Sequence, residues 1–161
     1  QSVDIESGRG LEDISRAQAT VEGVGGRWEE VMALARNAMA SDAVREAIAS
    51  GRYFRELFVS APVNGLLVEG FVDLLFEGPE GLTIVDYKTD DVDTDEDIDN
   101  AVERYGAQIG AYVAALQRAT GKTVQRAVLL FLRPNREVTF NDVGLLVDQA
   151  EKGVVSFIQA S

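Results

Sequence analysis

The sequence predicts an α/β fold: a mixed β-sheet flanked by helices, with further helices at the N-terminal end. Three observations lead there. Between Tyr53 and Lys88, three apolar stretches follow one another through short glycine-containing turns, which predicts a three-stranded antiparallel meander. A long helical face then precedes a strongly apolar run, Val124 to Leu132, and a strand returning after such a helix crosses over to lie parallel to the strand before it. The 161 residues, 46% of them apolar, can bury one core, whereas two autonomous halves would each be small.

Residues 1 to 10 are polar, without a periodic pattern, and read as a loose arm. Leu11 to about Val24 is weakly helical until Gly23, Gly25 and Gly26 stop it. Arg27 to Ala40 is a better helix, with Trp28, Val31, Met32, Ala35 and Met39 on one face. Ser41 is the expected N-cap of a short helix through Ala49, closed by Gly51. Strands follow at Tyr53 to Ser60, Leu66 to Phe76 and Leu82 to Lys88, with Asn64-Gly65 and Gly78 to Gly81 as turns. Asp90 to Asn100 reads as an acidic loop. Ile98, Val102, Tyr105, Ile109, Tyr112, Val113 and Leu116 then trace a helix face that ends at Gly121. After Val124 to Leu132, Arg133-Pro134-Asn135 stops the strand and a shorter one runs from Glu137 to Phe140. A last helix, capped by Asn141 or Asp142, turns Val143, Leu146, Val147, Ala150, Val154 and Ile158 inward. The chain thus divides into an N-terminal arm and helical region, 1–52, and a core with a C-terminal helix, 53–161.

Composition narrows the chemistry. The chain has no cysteine and no histidine, so disulfide frameworks, thiol nucleophiles, zinc knuckles, Fe–S clusters and imidazole catalysis are excluded. Carboxylate, lysine, tyrosine and hydroxyl groups remain, and oxygen ligands favour a hard cation, Mg2+ or Mn2+. A net charge of −12 is opposite to the basic footprint of a free-standing nucleic-acid binder. A nucleic-acid substrate would therefore be held by a larger machine to which this chain belongs, although an acidic surface is also an ordinary device for solubility. With no long apolar run and no signal-like N-terminus, a cytoplasmic protein without a membrane partner is expected. Asp91 to Glu96 imitates the start of a calcium loop, but Glu96 stands where glycine is required and Val102 where a glutamate is required.

The residues that strand formation alone does not explain are Asp73, Asp86 and Lys88. Aspartate and lysine are poor strand formers and are seldom buried without a partner, yet all three lie in Val/Ile/Leu surroundings. Alternation puts Asp86 and Lys88 on one face with Leu82 and Ile84, and a hairpin near Gly78-Pro79 brings Asp73 opposite Val85 or Asp86. Two carboxylates that converge repel unless a cation lies between them. A lysine beside them can stabilise charge growing on a phosphorus under attack, so phosphodiester hydrolysis suits the trio. The alternative is an ion pair of Lys88 with Asp86 or Asp73 at a sheet edge. The chain has only three lysines against twelve arginines, so position 88 is not a default cation.

Gly70-Phe71-Val72-Asp73, Asp86-Tyr87-Lys88-Thr89 and Gln108-Ile109-Gly110-Ala111-Tyr112, in this order and spacing, resemble the G-x-x-D, D-Y-K and Q-x-x-x-Y motifs of RecB-type nuclease domains in the PD-(D/E)xK superfamily. The chain is most similar to the C-terminal nuclease domain of bacterial superfamily-1 ATP-dependent helicase-nucleases. The resemblance implies a restriction-endonuclease-like core and a Mg2+-dependent, exonuclease-type deoxyribonuclease in DNA repair and recombination. A helicase motor in the same longer chain or complex would supply the DNA. It assigns Asp73 and Asp86 as metal ligands, the Tyr87 carbonyl as a third, and Lys88 as the catalytic lysine. Gln108 and Tyr112 would face the site or the DNA. Glu56 corresponds to an acid on the first strand, with a surface salt bridge to Arg55 or Arg52 as its alternative. Such domains carry a metal-ligating histidine on an early helix and this chain has none, which implies either a fragment starting beyond that helix or a natural loss. A loss would leave a weakened or non-catalytic module for docking DNA ends or partners.

Overall fold

In the computed structural model, which describes residues 10–21, 23, 25–63 and 65–159, five strands form one sheet in the order β1-β2-β3-β4-β5. The strands are β1 Tyr53–Val63, β2 Leu66–Gly78, β3 Gly81–Lys88, β4 Val124–Phe131 and β5 Arg136–Phe140. The helices are α1 Leu11–Val21, α2 Trp28–Ala40, α3 Asp42–Ser50, α4 Asp95–Thr120 and α5 Val143–Gln159. Pairing is antiparallel from β1 to β3, parallel between β3 and β4, and antiparallel between β4 and β5. The expected meander and crossover strand are both present. Among the described residues, no helix is long and apolar enough to cross a membrane.

The sheet is covered on both faces. On one, Leu82, Ile84, Ala127 and Leu129 pack with Ile109, Val113 and Leu116 of α4, and Leu146 of α5 closes this layer. On the other, Val85, Val128 and Leu130 pack with Ala43, Val44 and Ala47 of α3. A central strand buried on both faces reads as a continuous apolar run, as β4 does from Ala127 to Phe131. Lys88 ends the central strand β3, so it does not lie on a sheet edge; β4 covers the flank that an edge reading leaves open.

Local signals explain the boundaries. The Ser41 hydroxyl accepts the Val44 N–H at 3.3 Å and starts α3, and Gly51, at φ 63°, ends it. Gly78 pairs with Gly81, so the β2–β3 turn has only Pro79 and Glu80 between the paired glycines and is shorter than the sequence implied. Asn64, expected in the β1–β2 turn, lies outside the described residues, as do the side chains of Val154 and Ile158 on α5.

One expectation needs correction, at the start of α4. The helix expected near Arg27 to Ala40 is α2, whose apolar stripe is half-buried: no α2 residue is fully buried, and Leu34 and Ala38 pack against the sheet-side cluster. Trp28 instead carries the Arg16 guanidinium 3.8 Å above its ring. The acidic stretch from Asp95 is not loop but the first turn of α4. Thr94 Oγ1 accepts the Asp97 N–H at 3.1 Å, while Asp97 Oδ2 accepts the Thr94 N–H at 3.0 Å, a reciprocal capping box. Asp95, Glu96 and Asp97 also complement the positive end of the helix dipole. Thr94→Ala is expected to lower stability by about 1 kcal/mol in urea unfolding, with Thr94→Ser retaining most of it.

Candidate active site

The site forms where the β2–β3 ladder gives way. Pairing runs from Gly78↔Gly81 to Leu74↔Val85, and beyond it the Tyr87 N–H donates to Asp73 Oδ2 at 2.7 Å. The carboxylate thus takes a backbone donor from the neighbouring strand, which fixes Asp73 beside Asp86 and Tyr87. Burial holds the Asp73 carboxyl above the usual carboxylate range; the Tyr87 bond opposes this, the charges of Asp86 and Glu56 add to it, and Lys88 draws it down. The Tyr87 phenol is also pushed up, chiefly by burial and then by the Asp73 charge.

Asp86 and Lys88 share the α4 face of β3, as alternation requires. Lys88 Nζ lies 2.6 Å from Asp86 Oδ2, with side chains only 12% and 9% exposed. Asp86 Oδ2 is buried, and among the described residues no hydrogen bond reaches it besides this ion pair. Lys88 Nζ donates to Gln108 Oε1 at 3.0 Å, and Gln108 Nε2 donates to the Tyr112 hydroxyl at 3.3 Å. A polar relay therefore runs from β3 to α4 through residues one helical turn apart.

Gly70 makes room for the end of this relay. A Cβ there would stand 2.8 Å from Cε1 and 2.9 Å from Cζ of Tyr112, so the ring crosses β2 only because residue 70 has no side chain. Tyr112 is buried and joins the core.

Glu56 falls between the paired Arg55↔Leu74 and Leu57↔Val72, across from Asp73, and has φ 49°. A non-glycine residue in the left-handed region is uncommon inside a strand. It breaks the alternation of β1: Tyr53 packs toward α3, whereas Leu57 and Val59 pack toward α4. Glu56, Asp73 and Tyr87 line a cavity of about 370 Å3 whose walls include Met39, Ile48 and Tyr53. The ion pair considered for Arg52 forms with Glu77, at 3.3 Å.

Asp73, Asp86, Tyr87, Lys88, Gln108 and Tyr112 are thus brought together, with Glu56 at the rim. Sequence reasoning treated Tyr105 only as a helix-face residue, yet its ring centroid lies 3.9 Å from Lys88 Nζ. Its position three residues before Gln108, on the same helix face, was the available signal.

The donor set suits a hard cation. Asp73 lies within reach of the Asp86 charge, and the buried Asp86 Oδ2 has no partner among the described residues but the Lys88 ammonium, so a divalent ion would find oxygen donors there. Among the described residues there is no group of three or more Asp, Glu, His or Cys side chains able to hold a metal.

Residues 7–159 match the PD-(D/E)XK nuclease superfamily. An ATP-dependent helicase/nuclease protein of Clostridium botulinum is 50% identical over 60 residues, 37% of this chain and 4% of that protein. Its namesake from Acetivibrio thermocellus is 40% identical over 75 residues, 47% of this chain and 6% of that protein. The chain therefore spans a small fraction of the length of these relatives. A crystal structure of a protein described as an exonuclease, from Eubacterium rectale, shares the fold with a TM-score of 0.52 at 11% identity, covering 92% of this chain and 66% of that one.

Proposed function

Because the chain belongs to the PD-(D/E)XK nuclease superfamily, we propose that it hydrolyses DNA phosphodiester bonds with Mg2+ or Mn2+, as the nuclease part of an ATP-dependent helicase-nuclease in DNA repair and recombination. The observation that carries this reading is the meeting of Asp73, Asp86 and Lys88 at the end of β3, where the buried Asp86 Oδ2 has only the Lys88 ammonium as partner among the described residues. The name of the relatives, ATP-dependent helicase/nuclease, supports a motor elsewhere in a longer chain or complex that delivers unwound DNA.

Asp73 and Asp86 would hold the cation, with the Tyr87 carbonyl as a further hard donor. Mg2+ commonly binds through one or two carboxylates and fills its shell with waters and substrate phosphate, so two acids suffice. When bound, the ion supplies Lewis-acid polarisation of the phosphoryl group and makes nearby water more acidic. Lys88 places its positive charge where negative charge builds on the phosphoryl oxygens. Gln108 holds the ammonium in that place, and Tyr112 holds Gln108. Glu56 faces Asp73 and is suited to orient water at the rim of the site.

A second reading, a nuclease-fold module that docks DNA ends or partners without cutting, is favoured by the absence, among the described residues, of three acidic side chains placed to hold a metal. Metal removal decides between the two. Full-length protein given single-stranded DNA and Mg2+ is expected to release nucleotides, EDTA to stop the release, and added Mg2+ or Mn2+ to restore it. Intact DNA after prolonged incubation with Mg2+ and with Mn2+ would sink the nuclease reading in favour of docking.

A further inference from the structure

We propose that Tyr105 is a positioning residue that holds the Lys88 ammonium in its working place, through the face of its ring and through a phenol anchored on Asp90. The inference rests on the nuclease reading above and adds to it a residue outside the three motifs.

Lysine is a point charge on a flexible four-carbon stem, and a strand position fixes only where that stem begins. Three contacts fix where it ends. Asp86 Oδ2 lies at 2.6 Å, Gln108 Oε1 accepts at 3.0 Å, and the Tyr105 ring centroid lies at 3.9 Å, well inside the range of a cation–π interaction. Without the ring, one of the three contacts that hold the ammonium beside Gln108 would be lost. The ring is itself held. The Tyr105 hydroxyl reaches Asp90 Oδ1 at 3.0 Å and Oδ2 at 2.9 Å, so its proton is shared by a carboxylate two residues beyond Lys88. Arg104 pairs with Asp90 at 3.4 Å and lies 5.0 Å from the same ring. The segment that leaves β3 and the helix that supplies Gln108 are therefore clasped twice, through Lys88–Gln108 and through Asp90–Tyr105. A clasp of this kind sets lysine geometry without adding a ligand to the cation.

The test needs a readout of position and a readout of rate. The chain has three lysines, Lys88, Lys122 and Lys152, so lysine labelled with 13C at Cε gives few resonances from this chain. The Lys88 ε-protons are expected upfield, in the ring current of Tyr105. Tyr105→Leu should return them to the ordinary position, and Tyr105→Phe should keep most of the shift. In the full-length protein with Mg2+ and DNA, Tyr105→Leu is expected to lower kcat about tenfold with little change in KM, and Tyr105→Phe to stay within about threefold of the parent. Equal losses in the Leu and Phe variants, with the Lys88 shift kept in the Phe variant, would overturn the proposal, as would a Leu variant with unaltered kcat. Should the Leu variant fail to fold, an unshifted Lys88 resonance in the unaltered protein overturns it without any substitution. Lys88→Ala separates this proposal from the reading beneath it. Full cleavage by Lys88→Ala would sink the nuclease mechanism, whereas loss there with none in Tyr105→Leu would sink only the role of Tyr105.

Discussion

Replacing Lys88 with alanine is expected to slow DNA cleavage by the full-length protein about a hundred- to a thousandfold, the usual effect of removing one preorganised charge or donor from a transition state. Mg2+ binding should survive or tighten, because the ammonium 2.6 Å from Asp86 Oδ2 competes for the same carboxylate. The two effects point in opposite directions and so distinguish chemistry from collapse of the site. Stability adds a third measurement. Removing one partner of a largely buried pair leaves the other charge uncompensated, at a cost of about 3–5 kcal/mol, and the Asp86 side chain is only 9% exposed. The metal-free variant should therefore melt well below the parent. Mg2+ should restore more of that loss than it adds to the parent, since a ligand that binds only the folded state stabilises it according to its affinity. Thermal unfolding and initial cleavage rates, each with and without Mg2+, check all three. Cleavage within threefold of the parent would remove Lys88 from the mechanism.

Much of this site was legible in the sequence because it depends on local periodicity. Asp86 and Lys88 share a face with Leu82 and Ile84 because strand side chains alternate, and Leu82 and Ile84 do pack against the α4 side. The helix ends at Ser41, Gly51 and Gly121 were legible because capping and left-handed glycine are local requirements. What was not legible depends on non-local geometry or on an exception to the period. Glu56 at φ 49° switches the face of β1 midway, and no residue type in Arg55-Glu56-Leu57 announces it. The start of α4 was misread because a run of acids resembles a solvated loop, although Thr94-x-x-Asp97 carries the capping signal. Two roles emerge only when α4 lies on the sheet. Gly70 is needed for the Tyr112 ring, which comes from a helix 42 positions later in the chain, and Tyr105 meets Lys88 across the same junction.

Gly110→Ala tests that junction from its outer side. In a helix interior, alanine is ordinarily favoured over glycine by about 1 kcal/mol, yet here the substitution is expected to destabilise. A Cβ at residue 110 would run into the carbonyl carbon and oxygen of Leu146 and come within 3.1 Å of the Ala150 Cβ. The obstructing group is the backbone of α5, so no side-chain rotation can relieve it and the helices must separate. Overpacking of this kind costs about 3 kcal/mol, leaving a net loss of about 2 kcal/mol after the gain in propensity. For a chain of this size that is a fall in Tm of about 4–8 °C. Gly106, one turn earlier on α4, supplies the contrast. Its Cβ would meet only the end of the flexible Gln149 side chain, at 3.2 Å, and Leu146 Cδ2 at 3.7 Å. Gly106→Ala should therefore be neutral or slightly stabilising. The strain should fall on α5, because Ile109, Val113 and Leu116 bind α4 to the sheet and Gln108 bonds to Lys88. Cleavage by Gly110→Ala, measured well below its Tm, should then stay within a few-fold of the parent while its unfolding midpoint drops. A Gly110→Ala protein as stable as the Gly106→Ala protein would show that α5 does not cross α4 at this distance.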